Sequence, residues 1–299
     1  MPRVIELADQ ARCELGDCLA ALEAEGFNAF EEESLLHAAA WLRKLGNNRE
    51  FLGNMLLDEL KQGAAAAEEA SSYGPQVVML SGAGREFFMR ANFWPSVDEH
   101  MFRASGKSAF SYELPHDHNF DFLTLGYFGP GYASDYYEYD YGAVAGAVGE
   151  QAGLRFVERA TLDPGKLMHY RAHVDVHSQL PPEALSVSIN VMHAGGAQGL
   201  LDQYLFDVDK DQITGVASPG GSEVFLRVAV GLGGEEARDL AHSFAGSHPS
   251  DRLRLVALEA QAGVLDVEGR DELWRQAEQS GSRLVALEAT RRRRELALA

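Results

Sequence analysis

The feature that most constrains the fold is the stretch at 110–131, which reads FSYELPHDHNFDFLTLGYFGPG. A run rich in Phe, Leu and Tyr follows a proline there and ends at a Gly-Pro-Gly turn. Because side chains alternate between the two faces of a strand, His116 and His118 are predicted to share one face, with Asp117 on the other. Two imidazoles on one face, at the start of an apolar strand, predict a site for one metal ion.

Composition narrows the classes of partner. The chain has 299 residues, of which 46% are hydrophobic and 24% charged, as in an ordinary globular protein with a sizeable core. Its formal net charge of −19 repels nucleic acid and anionic membrane surfaces, so neither is expected as a partner. The remaining expectation is a small-molecule or peptide substrate.

The two cysteines and the first residues bear on the compartment. Cys13 and Cys18 are five residues apart in a segment with a helical pattern, so they are predicted to lie well apart around a helix. That spacing matches neither a metal knuckle nor a disulfide framework, and reduced thiols are typical of the cytoplasm. An amphipathic rather than apolar start, and no apolar run of membrane-spanning length, complete the prediction of a cytoplasmic protein.

Hydrophobic periodicity divides the chain into helical, strand-rich and helical parts. Apolar residues recur at helical spacing from residue 3 to about residue 70, and the helical pattern returns after residue 219. Between them, short segments rich in Val, Phe and Tyr are separated by Gly or Pro and are predicted as strands. These segments are 76–80, 86–94, 109–113, 116–128, 132–141, 154–162, 166–171 and 185–192.

Consecutive strands without intervening helices favour an antiparallel arrangement. The predicted class is therefore α+β, with a central antiparallel β-sandwich or barrel at 76–218 flanked by helical segments at 1–75 and 219–299. In the last segment, the heptapeptide RLVALEA at 254–260 recurs at 283–289. Such a repeat is typical of a pair of packed helices. We expect the helical flanks to dock on the barrel or on a second copy, making a homodimer.

The segment 76–195 resembles the cupin superfamily in its histidine spacing. The first cupin motif has two histidines one residue apart, then a carboxylate four or five positions later, then a glycine seven beyond that. His116 and His118 match the pair and Gly129 matches the glycine, but Phe122 stands where the carboxylate belongs. The resemblance implies a double-stranded β-helix fold.

The second cupin motif begins at a Pro-Gly turn and supplies one more histidine. Pro164-Gly165 is such a turn, and His177 follows twelve residues after the glycine, one off the pattern. The resemblance therefore implies His116, His118 and His177 as metal ligands. His173 remains the alternative to His177.

In lacking the motif carboxylate, the sequence resembles the three-histidine cupin dioxygenases, of which the thiol dioxygenases are one example. Three neutral imidazoles suit Fe(II), which binds substrate and dioxygen side by side, with Zn, Cu, Mn or Ni as alternative metals. The implied function is an oxygenase with O2 as co-substrate. Tyr136, in the Tyr-rich segment 132–141, and Arg171 are predicted to orient the substrate at the cavity.

Two other functions stay open at this point. His173 and Asp175 have the His-x-Asp form used by 2-oxoglutarate-dependent hydroxylases, although no distal partner is evident and His116 and His118 would have no role. A non-catalytic protein that binds a metal or metabolite and acts through its helical flanks is the third reading.

Overall fold

The computed structural model describes residues 1–62, 76–82, 86–195, 198–217 and 219–298. The nine α-helices of that part are α1 Leu15–Glu25, α2 Glu32–Asn47, α3 Phe51–Gln62, α4 His100–Ser105, α5 Gly221–Gly231, α6 Glu235–Ser247, α7 Asp251–Ala262, α8 Val267–Ala277 and α9 Arg283–Leu298. Its strands are β1 Arg3–Val4, β2 Val77–Met79, β3 Phe87–Trp94, β4 Phe122–Phe128, β5 Ala133–Glu138, β6 Arg155–Thr161, β7 Leu167–Tyr170, β8 Asp175–Gln179, β9 Ser186–His193, β10 Tyr204–Asp207 and β11 Gln212–Val216. The predicted end of the first helical segment, at 63–75, lies outside the described residues.

The chain divides into two compact units. The first comprises Met1–Tyr139 and Leu154–Gly196, and the second comprises Asp140–Gly153 and Ala197–Ala299. The division at 1–75, 76–218 and 219–299 stays a sequence-based prediction.

The first unit contains two antiparallel sheets. One has six strands in the order β1-β7-β4-β9-β3-β2, and the other has three in the order β6-β5-β8. The α+β class with antiparallel sheets is thus confirmed. The expected barrel is not closed within the described strands, because each sheet ends in edge strands that pair on one side only.

The six-stranded sheet is buried on both faces. Helices α1, α2 and α3 cover one face, where Leu22, Leu42 and Leu45 pack in one cluster with Leu123 and Val191 of the sheet. The other face shares a second cluster with the three-stranded sheet, built from large aromatic and sulfur-containing side chains. Its members are Trp94, Phe110, Tyr112, Phe122, Tyr132, Tyr136, Leu162, Met168, Tyr170 and Met192.

The first predicted helix begins later than expected. Arg3 and Val4 pair with β7 as an edge strand, and α1 starts only at Leu15. Cys13 therefore precedes the helix, and its thiol donates to the Trp41 carbonyl over 4.0 Å. The neighbouring Cys13 thiol and burial raise the pKa of the Cys18 thiol, so the two cysteines are closer than their helical spacing predicts.

Two of the predicted strands are also corrected. The segment predicted as a strand at 109–113 contains the end of a 3₁₀ helix, Lys107–Phe110. After it, Ser111 and Glu113 adopt positive φ values of 55° and 54°, which a regular strand does not accommodate. The strand predicted at 116–128 begins only at Phe122.

The second unit carries the hairpin β10–β11, which the sequence pattern did not predict, and helices α5–α9. The two copies of the RLVALEA heptapeptide lie in α7 and α9, and Leu258, Val285 and Ala289 from them pack around Trp274. Among the described helices, none combines the length and apolarity needed to cross a membrane.

Candidate metal centre

Backbone pairing brings His116 and His177 together. The His116 amide donates to the His177 carbonyl over 3.1 Å, and the His177 amide donates back over 3.0 Å, forming an isolated antiparallel bridge. Residues directly opposite in such a bridge project their side chains to the same face. His118, two residues further along, presents its ring to that face as well, as the sequence predicts.

The three imidazoles form one buried cluster. Ring centroids of His116 lie 4.9 Å from His118 and 4.6 Å from His177, and the other two rings are 5.0 Å apart. One nitrogen from each ring lies within 4.8 Å of the other two, and this is the one such group of three metal-ligating side chains among the described residues. Their exposed fractions are 9%, 7% and 2% in chain order.

Hydrogen bonds orient two of these rings. Nδ1 of His116 donates to the Leu114 carbonyl over 2.7 Å, which leaves Nε2 as the nitrogen with a lone pair. That atom lies 3.2 Å from Nε2 of His177, whose Nδ1 is 3.4 Å from the Tyr170 hydroxyl. Two metal–nitrogen bonds of ~2.1 Å together exceed this separation, so one ion is within reach of both rings. Nδ1 of His118 is buried and has no hydrogen-bond partner within the described structure.

The environment keeps all three rings neutral. Burial lowers the pKa of His116, and it lowers the pKa of His118 and His177 well below the usual 6.5. The other imidazoles and the Arg90 guanidinium lower the pKa of His118 further, because each disfavours a second positive charge nearby. Neutral imidazole is the form that binds a metal ion, so the protons need not be displaced.

The cluster opens onto a cavity of about 310 Å³ within the first unit. Both sheets contribute to its walls. Its lining residues are Gln76, Val77, Arg90, Asn92, Trp94, Ala109, Ser111, His116, His118, Phe122, Thr124, Tyr132, Tyr170, His177, Gln179 and Asn190. Phe122, at the motif's carboxylate position, stacks on Tyr170 with centroids 4.4 Å apart and meets the His118 ring edge-on at 4.8 Å. An apolar wall thus replaces the carboxylate.

Tyr136 lies behind the site rather than on the cavity wall. It is fully buried, its ring centroid is 6.4 Å from that of His177, and its hydroxyl is 3.0 Å from the Tyr170 hydroxyl. A row of polar contacts therefore runs from the Tyr136 hydroxyl through the Tyr170 hydroxyl to Nδ1 of His177. Burial raises the pKa of both tyrosines, so both keep their protons.

Arg171 is directed into an ion-pair network and is not among the described residues that line the cavity. Its guanidinium contacts the fully buried carboxylate of Asp175 at 2.6 Å and 3.0 Å, and that of Glu138 at 2.8 Å. Because these are bidentate, charge-assisted contacts, they hold the start of β8 in place.

His173 occupies a turn with φ of 59° and its amide donates to the His118 carbonyl. Its Nδ1 is 3.8 Å from a carboxylate oxygen of Asp117, which also accepts a 2.5 Å hydrogen bond from Tyr139. Asp175 is held by Arg171. Among the described residues, His173 and Asp175 therefore do not join the histidine cluster, which contains His177.

Arg90, Asn92 and Tyr170 are among the cavity residues that the sequence pattern did not single out. In β3, which reads FFMRANFW, Phe87, Met89 and Ala91 face the helices, so Arg90 and Asn92 face the cavity. The two-residue period of that strand carries this information. The sequence of β3 alone does not show which of its two faces packs against helices, so it does not show which face lines the cavity.

No family model matches this sequence, and no curated protein matches it. Among solved structures, the chain is similar to procruciferin, an 11S globulin from Brassica napus, with 10% identity over 42% of this chain and 27% of that one and a TM-score of 0.27. It is similar to a salicylate 1,2-dioxygenase from Pseudaminobacter salicylatoxidans, with 11% identity over 52% of this chain and 35% of that one and a TM-score of 0.28. For the DMSP lyase DddQ from Ruegeria pomeroyi DSS-3, the identity is 10%, the coverages are 66% and 77%, and the TM-score is 0.24. The chain thus spans about a third or less of the length of the first two, and TM-scores of this size carry no argument about fold or function.

Proposed function

We propose that this protein is a metal-dependent oxygenase with a cupin-like arrangement, in which His116, His118 and His177 hold one Fe(II) ion. The observation that carries the proposal is the buried cluster of three neutral imidazoles at the wall of a cavity. Two antiparallel sheets with ligand residues between them are compatible with the cupin-like double-stranded β-helix implied by the histidine spacing.

The donor set supports a catalytic rather than a structural ion. Structural zinc sites are closed by four protein ligands, whereas the described residues supply three here, so a bound ion would have coordination positions left for substrate. Nitrogen donors with open positions suit Fe(II), and Zn, Cu, Mn and Ni are the alternatives. When bound, Fe(II) would supply the activation of dioxygen for insertion of oxygen into the substrate.

The chain's own residues prepare the site for this chemistry. The hydrogen bond from His116 Nδ1 to Leu114 holds the ring with Nε2 turned to the cluster, and the Tyr170 hydroxyl performs the corresponding role for His177. Phe122 and the Tyr170 ring exclude water from the side of His118. With no carboxylate in the set, the three imidazoles would leave the charge of a bound ion uncompensated, which would favour an anionic substrate in the cavity.

Metal titration with matched variants tests the proposal. We expect chelator-treated protein to bind one equivalent of Co(II), used as a spectroscopic substitute, and to lose that binding in His116→Ala, His118→Ala and His177→Ala. His173→Asn, which tolerates the positive φ, is the control and should bind as the unaltered protein does. Loss of binding in the control but not in His177→Ala would move the third ligand to His173.

Oxygen consumption separates the function from metal binding alone. The Fe(II)-loaded protein should consume dioxygen when an organic acid that serves as its substrate is added, and the His177→Ala variant should not. Addition of 2-oxoglutarate with release of succinate would favour the hydroxylase alternative. Tight Zn binding without dioxygen uptake across a panel of organic acids would favour a non-catalytic binding protein.

A further inference from the structure

Polar side chains form two rows across the cavity face of the six-stranded sheet. Arg90, Asn190 and Thr124 are directly opposite one another on β3, β9 and β4. The next row places Asn92 opposite Ser188. Since cross-strand neighbours on one face lie about 5 Å apart, these groups make a continuous polar band on the cavity face of the sheet.

Part of this band is already satisfied within the protein. Thr124 Oγ1 donates to Asn190 Oδ1 over 2.6 Å, and the Trp94 indole donates to the Ser188 hydroxyl over 3.0 Å. These internal bonds fix the positions of the side chains around the cavity.

Two buried amide oxygens at the cavity have no hydrogen-bond partner in the described part of the chain. They are Oδ1 of Asn92 and Oε1 of Gln179, on side chains that are 6% and 5% exposed and that both line the cavity. Buried polar atoms are nearly always paired, so an unpaired acceptor at a cavity is open to a donor from water or from a ligand. These two oxygens come from different sheets and thus face the cavity from two sides.

Arg90 gives the cavity a positive potential. It is the one formally charged side chain among the described lining residues, and no carboxylate lies among them. Burial lowers the pKa of His118 and raises that of Tyr132, and the Arg90 guanidinium acts on both groups in the lowering direction, so its charge reaches the histidine cluster and the aromatic wall. A guanidinium has five N–H donors, so it can pair with a ligand carboxylate while keeping other contacts.

Size and wall chemistry limit the ligand further. A volume of about 310 Å³ lies at the small end of ligand cavities and suits a metabolite rather than a folded peptide. Stacked or tilted ring pairs, Phe122 on Tyr170 and Trp94 on Tyr132, both with centroids 4.4 Å apart, supply flat apolar walls.

We infer that the cavity takes a small organic acid that also carries a hydroxyl or amino donor. Its carboxylate pairs with Arg90, its donor group meets the amide oxygens of Asn92 and Gln179, and its apolar part lies against Phe122 and Trp94. This inference rests on the proposed function in treating the cavity as the substrate site, and it assigns the substrate class of that site.

Three ring-bearing probes that differ by one group each test the assignment by calorimetry on the metal-free full-length protein. Mandelate has the carboxylate, the hydroxyl and the ring; mandelamide lacks the charge; phenylacetate lacks the hydroxyl. We expect mandelate to bind roughly tenfold or more tightly than mandelamide, and phenylacetate to bind more weakly than mandelate. Equal affinities for the charged and neutral probes, or no binding of mandelate, would overturn the assignment.

Variants tie the effect to the named residues. Arg90→Gln should abolish the preference for mandelate over mandelamide, whereas Arg159→Gln, the same change at an exposed strand arginine, should preserve it. Asn92→Asp changes the charge of the side chain but hardly its shape, so it should weaken the binding of mandelate and leave the binding of mandelamide unchanged. It is the second test if Arg90→Gln does not fold. An unchanged preference in either cavity variant would refute the assignment. If the protein prefers mandelate to mandelamide but binds no metal, the substrate class stands and the oxygenase proposal fails. The failure of the substrate class and the failure of the proposed function are therefore distinguishable.

Discussion

Metal-free protein should lose stability steeply as the pH falls below about 6.5. Burial, joined by neighbouring positive charge at His118, keeps the pKa of His118 and His177 well below 6.5 in the folded state. Both rings titrate near 6.5 in the unfolded chain, which therefore binds more protons below that pH. The contribution of the neutral rings is fully present above the unfolded pKa and is lost as the pH falls through and below it.

The magnitude follows from proton linkage. A ring that stays neutral in the folded state but is protonated in the unfolded state subtracts about 1.4 kcal/mol from the free energy of unfolding per pH unit. One unit below the unfolded pKa, at about pH 5.5, two such rings together subtract roughly 3 kcal/mol. That is a large share of the roughly 5–15 kcal/mol typical of a folded domain. Urea denaturation of chelator-treated protein at about pH 7.5 and about pH 5.5 measures the difference.

Variants separate these rings from the carboxylates that also titrate in acid. His118→Leu should reduce the pH dependence by about 1.4 kcal/mol over this interval, because one of the two rings is removed. His100→Gln, at an exposed position, should leave it unchanged. A free energy of unfolding that is the same at both pH values, or a His118→Leu variant with the full pH dependence, would show that these rings are not held neutral by the fold.

Three further substitutions test the fold and the surroundings of the site. Gly129→Ala places a methyl group 2.1 Å from a backbone oxygen, and urea denaturation should show that the free energy of unfolding falls by ~3 kcal/mol or more. Gly106→Ala, at a similar positive φ but with open space around it, should lose only ~1–2 kcal/mol, and equal losses would contradict this. Arg171→Met should cost about 2 kcal/mol of stability and leave Co(II) titration unchanged, because it removes the partly exposed partner of the buried Asp175; a stable variant with impaired substrate binding would instead support the predicted substrate role. Tyr170→Phe keeps the stacked ring but removes the hydroxyl beside a cluster nitrogen, and calorimetry should show metal affinity ~10–100-fold weaker; an unchanged affinity would count against the orienting role.

Local pattern was sufficient for the histidine pair and for most strands. The one-residue spacing of His116 and His118 predicts a shared face, and their rings are neighbours even though the chain enters β4 only at Phe122. The reason is that a single backbone bridge to His177 imposes extended geometry locally without a continuous ladder. The alternation of Val187, Ile189 and Val191 likewise predicts one apolar face, which packs under the helices.

Features that depend on tertiary contacts were not predictable. The helical period at the start of the chain does not show that Arg3 and Val4 pair with β7, because the competing sheet edge lies over 160 residues away. A choice between His173 and His177 also needs the structure, since the positive φ of His173 places it in a turn. The polar band around Arg90 becomes visible only when three strands are aligned in register.

A crystal structure of the metal-loaded protein with anomalous diffraction would show whether the three imidazoles hold one ion. We expect a single anomalous peak about 2.1 Å from one ring nitrogen each of His116, His118 and His177, with the remaining coordination positions facing the cavity. A peak bound elsewhere, or the same three rings hydrogen-bonded to one another in the presence of excess metal, would contradict it.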